Sequence, residues 1–368
     1  FIDGINQGIS ALVRLLGGWW ADTTRRPKRV AVVGYASSAA SRFGLLLLQG
    51  FWPIAAMITA DRLGKGLRTG PRDAMIAAAS DPRLLGRNFG VHRALDTTGA
   101  LIGPLLAFAV LILLPYGVDG YRSVFAVSAA FAVIGVAVLV IAVRGPRLDS
   151  VPSRPRAARP RPTRQRPAPA DRVRIRELFR PAGLLVAAGL LGLVTVGDGF
   201  LYLALAESTE LPPQAFPLLF VGTSVTYLLL AVPLGRLADR VGRWKVFVGG
   251  HLLLLGCYLI TAGRPSGLLV VAGILALLGI YYAATDGVLS ALAAQCAPEH
   301  SRASRIAGAQ TVVAAARFGA SVGFGLLWQL TDLQTAFLVA ASCLLALLPA
   351  AGLLLARAAR ATQKADDR

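Results

Sequence analysis

Thirteen ionisable side chains stand inside long apolar runs of this 368-residue chain: Asp3, Arg14, Arg42, Asp61, Arg62, Lys65, Arg68, Arg72, Asp73, Asp96, Asp198, Asp286 and Arg317. Charge in such a setting is costly to keep and by default marks a substrate or ion pathway. At 100° per residue, Asp61, Lys65, Arg68 and Arg72 fall within roughly 60° of one another on a helix. That stripe cannot face lipid, so it is expected to line a cavity. Arg62 is expected near the membrane midplane, about 15 Å from Trp52. Arg72 and Asp73 lie about 30 Å along the same helix, where snorkelling to the surface is expected. Asp198 stands between Gly197 and Gly199. Flanking glycines permit local unwinding, and a carboxyl held there is placed to load and release a proton. Asp286 and Arg317 are further cavity candidates, and Asp96 is expected to pair with Arg93 or with the first loop motif, Gly18–Lys28. Other chemistries are excluded. Cys257, Cys296 and Cys343, like His92, His251 and His300, are too scattered for a disulfide framework or a metal site. Gly64-Lys65-Gly66 lacks the spacing and the preceding strand of a phosphate loop. No catalytic nucleophile stands out, so neither an enzyme nor a cofactor is expected.

The elements that must carry these charges are membrane helices. Only 15% of residues are charged and 55% are hydrophobic, against ~25% charged in an ordinary soluble domain. Mean hydropathy is +0.61. The apolar residues form continuous runs of spanning length, without the alternation of a barrel. Eleven spans are expected: Phe1–Ala21, Val30–Gly50, Trp52–Ala79, Phe89–Leu114, Tyr121–Val143, Pro181–Leu205, Phe216–Ala238, Val246–Ala262, Gly267–Ala294, Ile306–Leu330 and Thr335–Leu355. The net charge of +19 sits in the connections, which argues against a nucleic-acid partner. One set of connections, with the tail, holds 29 Lys and Arg; the opposite set holds only Arg122 and Arg264. The basic set is therefore expected in the cytoplasm. Within it, Val151–Ala170 is rich in Pro and Arg and reads as a flexible linker.

A repeat organises the chain. Gly235-Arg236-Leu237-Ala238-Asp239-Arg240-Val241-Gly242-Arg243-Trp244-Lys245 echoes Gly18-Trp19-Trp20-Ala21-Asp22-Thr23-Thr24-Arg25-Arg26-Pro27-Lys28 at an offset of 217 residues. Two halves of equal topology joined by a polar linker are the pattern of a duplicated transporter. Residues 1–143 form the first half, 144–180 the cytoplasmic linker, 181–357 the second half and 358–368 a cytoplasmic tail. The second half opens with a span that precedes its copy of the motif. By symmetry a helix is expected ahead of Phe1, giving the parent protein twelve spans.

These residues carry a resemblance. The duplicated G-x-x-A-D-x-x-x-R-x-K segment resembles the loop motif of the major facilitator superfamily. The second copy is complete, whereas the first has Thr23 for the arginine and Arg25 for the glycine, so a less tight turn is expected there. Gly18, Asp22 and Arg26, with Gly235, Asp239, Arg240, Gly242 and Arg243, are thereby implied to latch the halves in one conformation. Arg62-Leu63-Gly64-Lys65-Gly66 resembles the family's R-x-x-Q-G motif, whose arginine is linked to proton transfer. Gly90, Gly99, Gly103 and Pro104 fit the glycine pattern of its exporters, with Ala107 and Phe108 where a glycine pair is usual. Arg68–Ala74 resembles a segment of a bacterial drug-exporter-like, drug:proton antiporter branch.

The resemblance implies an all-α membrane protein: two six-helix halves related by a pseudo-two-fold axis, the first helix lying outside this chain. It implies a proton-coupled secondary transporter that exports a small organic molecule by alternating access. Proton-coupled uptake, or a non-transporting sensor or scaffold of the same fold, are the alternatives. The expected setting is the cytoplasmic membrane, with substrate, protons and lipid as partners and a monomeric state. Gly99 and Gly103 share one helix face, so a close helix contact is expected there, with Gly90 on the opposite face.

Overall fold

The computed structural model describes residues 2–48, 50–113, 118–143, 145, 182–209, 216–264 and 267–366. Apart from Gly145, the expected linker lies outside the described residues, and so does the side chain of Asp3. Among the described residues every regular element is helical: α1 (Ile2–Thr24), α2 (Pro27–Leu47), α3 (Phe51–Ala78), α4 (Leu85–Leu113), α5 (Val118–Ile141), α6 (Ala182–Leu193), α7 (Asp198–Ser208), α8 (Phe216–Val241), α9 (Arg243–Ala262), α10 (Leu268–Gln295), α11 (Arg302–Leu330) and α12 (Leu333–Asp366). Short 3₁₀ turns, Pro82–Leu84 and Glu299–Ser301, precede α4 and α11. The expected tail continues α12 as helix to Asp366.

Nine of the expected spans are long and apolar enough to cross a membrane by length and composition, counting α6 and α7 as one. Among the described residues, α1 and α3 are not counted with these nine. α3 carries Asp61, Arg62, Lys65, Arg68, Arg72 and Asp73, so one side of it is polar by design and its average hydropathy falls.

In the first half α3 packs on α2 and α1, and α2 on α5. Close approach of α2 and α3 rests on glycine: a Cβ on Gly64 would stand 2.8 Å from the Gly34 carbonyl oxygen. Small residues of this kind let helices meet backbone to backbone in a membrane. In the second half α10 packs on α8 and α9, while α6 and α9 pack on α12 and α6 also packs on α11. Tyr258, Tyr281, Phe337, Leu254 and Leu344 are buried there. The halves meet through α4 against α8 and α1 against α11, with α4 on α10 and α3 on α11.

The break between α6 and α7 spans Val194–Gly197. Irregular backbone at membrane depth survives only where protein satisfies its polar groups. Tyr258 does so here: its hydroxyl accepts the Val196 N–H at 2.7 Å and donates to the Val194 carbonyl at 3.1 Å.

Candidate functional site

The two loop motifs close one end of the molecule. Asp22 accepts the backbone N–H groups of Ala303 at 3.2 Å and Ser304 at 2.7 Å, in the first turn of α11. Asp239 accepts those of Gly86 and Arg87, both at 2.8 Å, in the first turn of α4. Each carboxylate thus satisfies donors that a helix N-terminus leaves unpaired, at the positive end of its dipole. Glycine makes the approach possible. A Cβ on Gly18 would stand 2.9 Å from the Ala303 carbonyl oxygen, and one on Gly86 2.5 Å from that of Gly235.

The two clasps differ in their arginines. Arg243 bonds Asp239 through Nε at 2.9 Å, the Pro82 carbonyl at 2.6 Å and Gln295 Oε1 at 2.9 Å. Its counterpart Arg26 is exposed and makes no ion pair with Asp22. Arg240 is exposed as well. The departure at Arg25 is tolerated by strain: Arg25 takes φ 53° where Gly242 takes φ 114°.

Beyond the sealed end the halves diverge around a cavity of about 840 Å³. The first half supplies Arg14, Arg42, Lys65, Arg68, Arg72, Arg93 and Asp96 to its wall. The second half supplies Asp198, Asp286, Arg317, Gln310 and the aromatic side chains Tyr202, Phe220, Tyr227 and Tyr282. Asp198 opens α7 at the helix break, where Tyr282 donates a hydrogen bond to its carboxylate. Arg317 donates to the Tyr281 hydroxyl at 2.8 Å, and its guanidinium lies 5.7 Å from the Tyr282 ring centre. Carboxylate, phenol and guanidinium therefore form one connected group. Behind it a pocket of about 20 Å³ reaches the buried His251.

The cavity floor is a charge cluster that joins the halves. Asp73 is fully buried, with Arg72 at 3.1 Å and Arg93 at 3.8 Å. Gln310 of α11 donates to it at 2.7 Å and to Ser290 of α10 at 3.0 Å. Asp96 receives Arg72 at 3.6 Å, His92 at 3.4 Å and Arg93 at 3.8 Å.

Several expectations are corrected by this geometry. Arg72 and Asp73 do not snorkel: Arg72 lines the cavity and Asp73 lies beneath it, because a cross-half partner satisfies the acid inside the bundle. Arg62 is exposed, and neither it nor Asp61 lines the cavity. A helical wheel gives direction and says nothing of depth; Asp61 sits nearer the start of α3, its carbonyl accepting Ser38 Oγ at 3.4 Å. The close contact on α4 is at Gly90, where a Cβ would collide with the Ala231 carbonyl oxygen of α8. Gly99 faces the cavity, Gly103 and Pro104 are exposed, and a Cβ on either Gly99 or Gly103 would meet nothing within 4 Å. The halves touch at the Gly90 end and part towards Gly99. Asp96 pairs with Arg93, as expected, and not with the first loop motif. Tyr258, Tyr282 and Gln310 join the site as uncharged residues within apolar runs, which carry no signal in the sequence, and Arg93, expected only as a partner of Asp96, also reaches Asp73 and the cavity wall.

A family model described as Major Facilitator Superfamily matches residues 1–204 and again 199–368. An uncharacterised MFS-type transporter of Methanocaldococcus jannaschii is 29% identical over 351 residues, covering 91% of this chain and 80% of that protein. An uncharacterised protein of Mycobacterium tuberculosis is 32% identical over 110 residues, or 30% of this chain and 27% of its own length. Among solved structures, the E. coli fucose:proton symporter gives a TM-score of 0.72 at 11% identity, covering 96% of this chain and 90% of that one. The human organic anion transporter MFSD10 gives 0.69 at 16% identity, with 96% and 82% covered. A bacterial homologue of the iron transporter ferroportin, outward-facing, gives 0.69 at 16%, with 97% and 89% covered. At these identities the structures share the fold.

Proposed function

Because the chain belongs to the major facilitator superfamily, it is a multi-pass membrane transporter rather than an enzyme, and we propose that it exports a small organic molecule in exchange for protons. The observation that carries this reading is Asp198, a carboxylate at a helix break, facing the cavity and hydrogen-bonded to Tyr282 beside Arg317. Such a group can exchange a proton with the cavity while substrate binding changes the charge around it. The two halves, residues 1–143 and 181–357, rock about this site in a monomer within the cytoplasmic membrane. The excess of Lys and Arg at the clasped end supports a cytoplasmic position for that end, and on that reading the cavity opens outward. Export rests on the resemblance of Gly90, Gly99, Gly103 and Pro104 to the glycine pattern of exporters; in the packing, Gly90 closes the clasped end against α8 while Gly99 stays in the cavity wall.

The test uses everted vesicles energised to be acid inside and challenged with a panel of organic anions and cations. A transported substrate discharges the gradient with the parent protein. With Asp198→Asn the discharge is lost, while gradient-free exchange of labelled for unlabelled substrate persists. Undiminished discharge by Asp198→Asn would refute the assignment of the proton to this carboxylate.

A further inference from the structure

The charges of the cavity wall do not cancel. Arg72 and Arg93 are answered by Asp73 and Asp96, and Arg317 shares the second-half wall with the carboxylates Asp198 and Asp286. Four cations of the first half have no such answer. Among the described residues, no carboxylate lies within ion-pair distance of Arg14, Arg42, Lys65 or Arg68. They come from three helices, α1, α2 and α3, and all line the same cavity.

Two of them are held in place by neutral neighbours. Arg68 lies with its guanidinium 4.0 Å from the ring centre of Tyr35, and Arg42 donates to Ser128. The Nε atoms of Arg14, Arg42 and Arg68 are buried and make no hydrogen bond, as is also so of Arg93 and Arg317 in the same wall. Buried donors without partners are rare and call for an acceptor. Planar guanidiniums suit the paired oxygens of a carboxylate or phosphate. The opposite wall is different: Tyr202, Phe220, Tyr227 and Tyr282 offer flat apolar surface with few cations. The cavity, at about 840 Å³, falls in the size range of sites that enclose a small organic ligand.

We propose that the transported molecule is an organic dianion with a flat apolar body, its charged head held by Arg14, Arg42, Lys65 and Arg68 and its body laid on the tyrosine wall. This names the substrate class of the transport reading above and rests on it. The head is a phosphomonoester or a pair of carboxylates, since both offer two negative charges and several acceptor oxygens to the same cations. A monocarboxylate answers too few of them, and a cation is repelled.

Binding to the purified protein, read by calorimetry and by the shift in thermal unfolding, tests the proposal without a proton gradient. The probes are phenyl phosphate, phthalate, benzoate, inorganic phosphate and benzyltrimethylammonium. Phenyl phosphate or phthalate is expected to bind at least about tenfold more tightly than benzoate, as charge-assisted hydrogen bonds require. The tighter of the two identifies the head. Lys65→Gln and Arg68→Gln are each expected to weaken that probe about tenfold or more, and Lys65→Arg to retain most of the affinity. Lys65 is exposed to the cavity, so its variants test binding without burdening the fold. Benzoate matching both dianions would overturn the charge count, and inorganic phosphate matching them would overturn the role of the aromatic wall. Binding of neither dianion, or tighter binding of benzyltrimethylammonium, would overturn the proposal outright. Failure of the proton reading is separate: it would leave dianion binding intact while Asp198→Asn still discharged the gradient.

Discussion

Removing Asp239 should open the clasped end further than removing Asp22. Asp239→Ala deletes the acceptor for two amides of α4 at 2.8 Å and strands Arg243, whose Nη2 lies 2.8 Å from the same carboxylate. Both side chains are buried, at 5% and 8% exposure. Removing one member of a buried, hydrogen-bonded pair costs about 3–5 kcal/mol. Asp22→Ala also deletes two amide acceptors but leaves no stranded arginine, at a cost of about 2–3 kcal/mol. The ratio of closed to open at this end should therefore fall by about 160-fold or more in the first variant and by about 30- to 160-fold in the second. Spin labels at Thr23 and Arg240, exposed positions 217 residues apart on α1 and α8, report the opening as a distance distribution once the native cysteines are removed. The long-distance population should be larger for Asp239→Ala than for Asp22→Ala. An unchanged distribution in Asp239→Ala would refute the clasp, and equal populations in the two variants would refute the role given to Arg243.

Other consequences follow from single contacts. Gly90→Leu drives a side chain into the Ala231 carbonyl and should lower stability by about 1–3 kcal/mol or more, whereas Gly99→Leu projects into the cavity and should fold normally; thermal unfolding of the two proteins compares them. Tyr258→Phe leaves the Val196 N–H and Val194 carbonyl buried without partners, and should cost about 2–3 kcal/mol in the same measurement. Arg25→Gly relieves a positive φ of 53° and should raise stability by about 0.5–1 kcal/mol; a lowered unfolding temperature would contradict the strain.

Much of the fold was legible because a bilayer imposes length and continuity on every span. The polar stripe of α3 was legible for the same reason: Lys65, Arg68 and Arg72 have nowhere to go but the cavity. What periodicity withholds is the neighbour. It placed Asp61 in the stripe, yet depth along α3 takes that residue out of the cavity wall. It gave Gly99 and Gly103 a shared face, yet whether another helix occupies that face depends on which end of the bundle is closed. Gln310, which ties Asp73 to the second half at 2.7 Å, is one polar residue in an apolar helix and announces nothing until its partner is known.

The duplication explains why the clasps were the most readable part of the site, and also why they are unequal. The offset of 217 residues relates Asp22 to Asp239 and equally relates the receiving amides, Gly86 to Ala303 and Arg87 to Ser304. Each half therefore carries both an acceptor and a set of donors, and two copies close on one another reciprocally. Divergence has then acted on the flanks. Gly242 and Arg243 keep a tight turn and a four-way network, while Arg25 and Arg26 leave a strained turn and an arginine in solvent. A symmetric fold with unequal clasps has a preferred order of opening: the α1–α11 contact, whose Asp22 has no arginine beside it, should part before the α4–α8 contact held by Asp239 and Arg243.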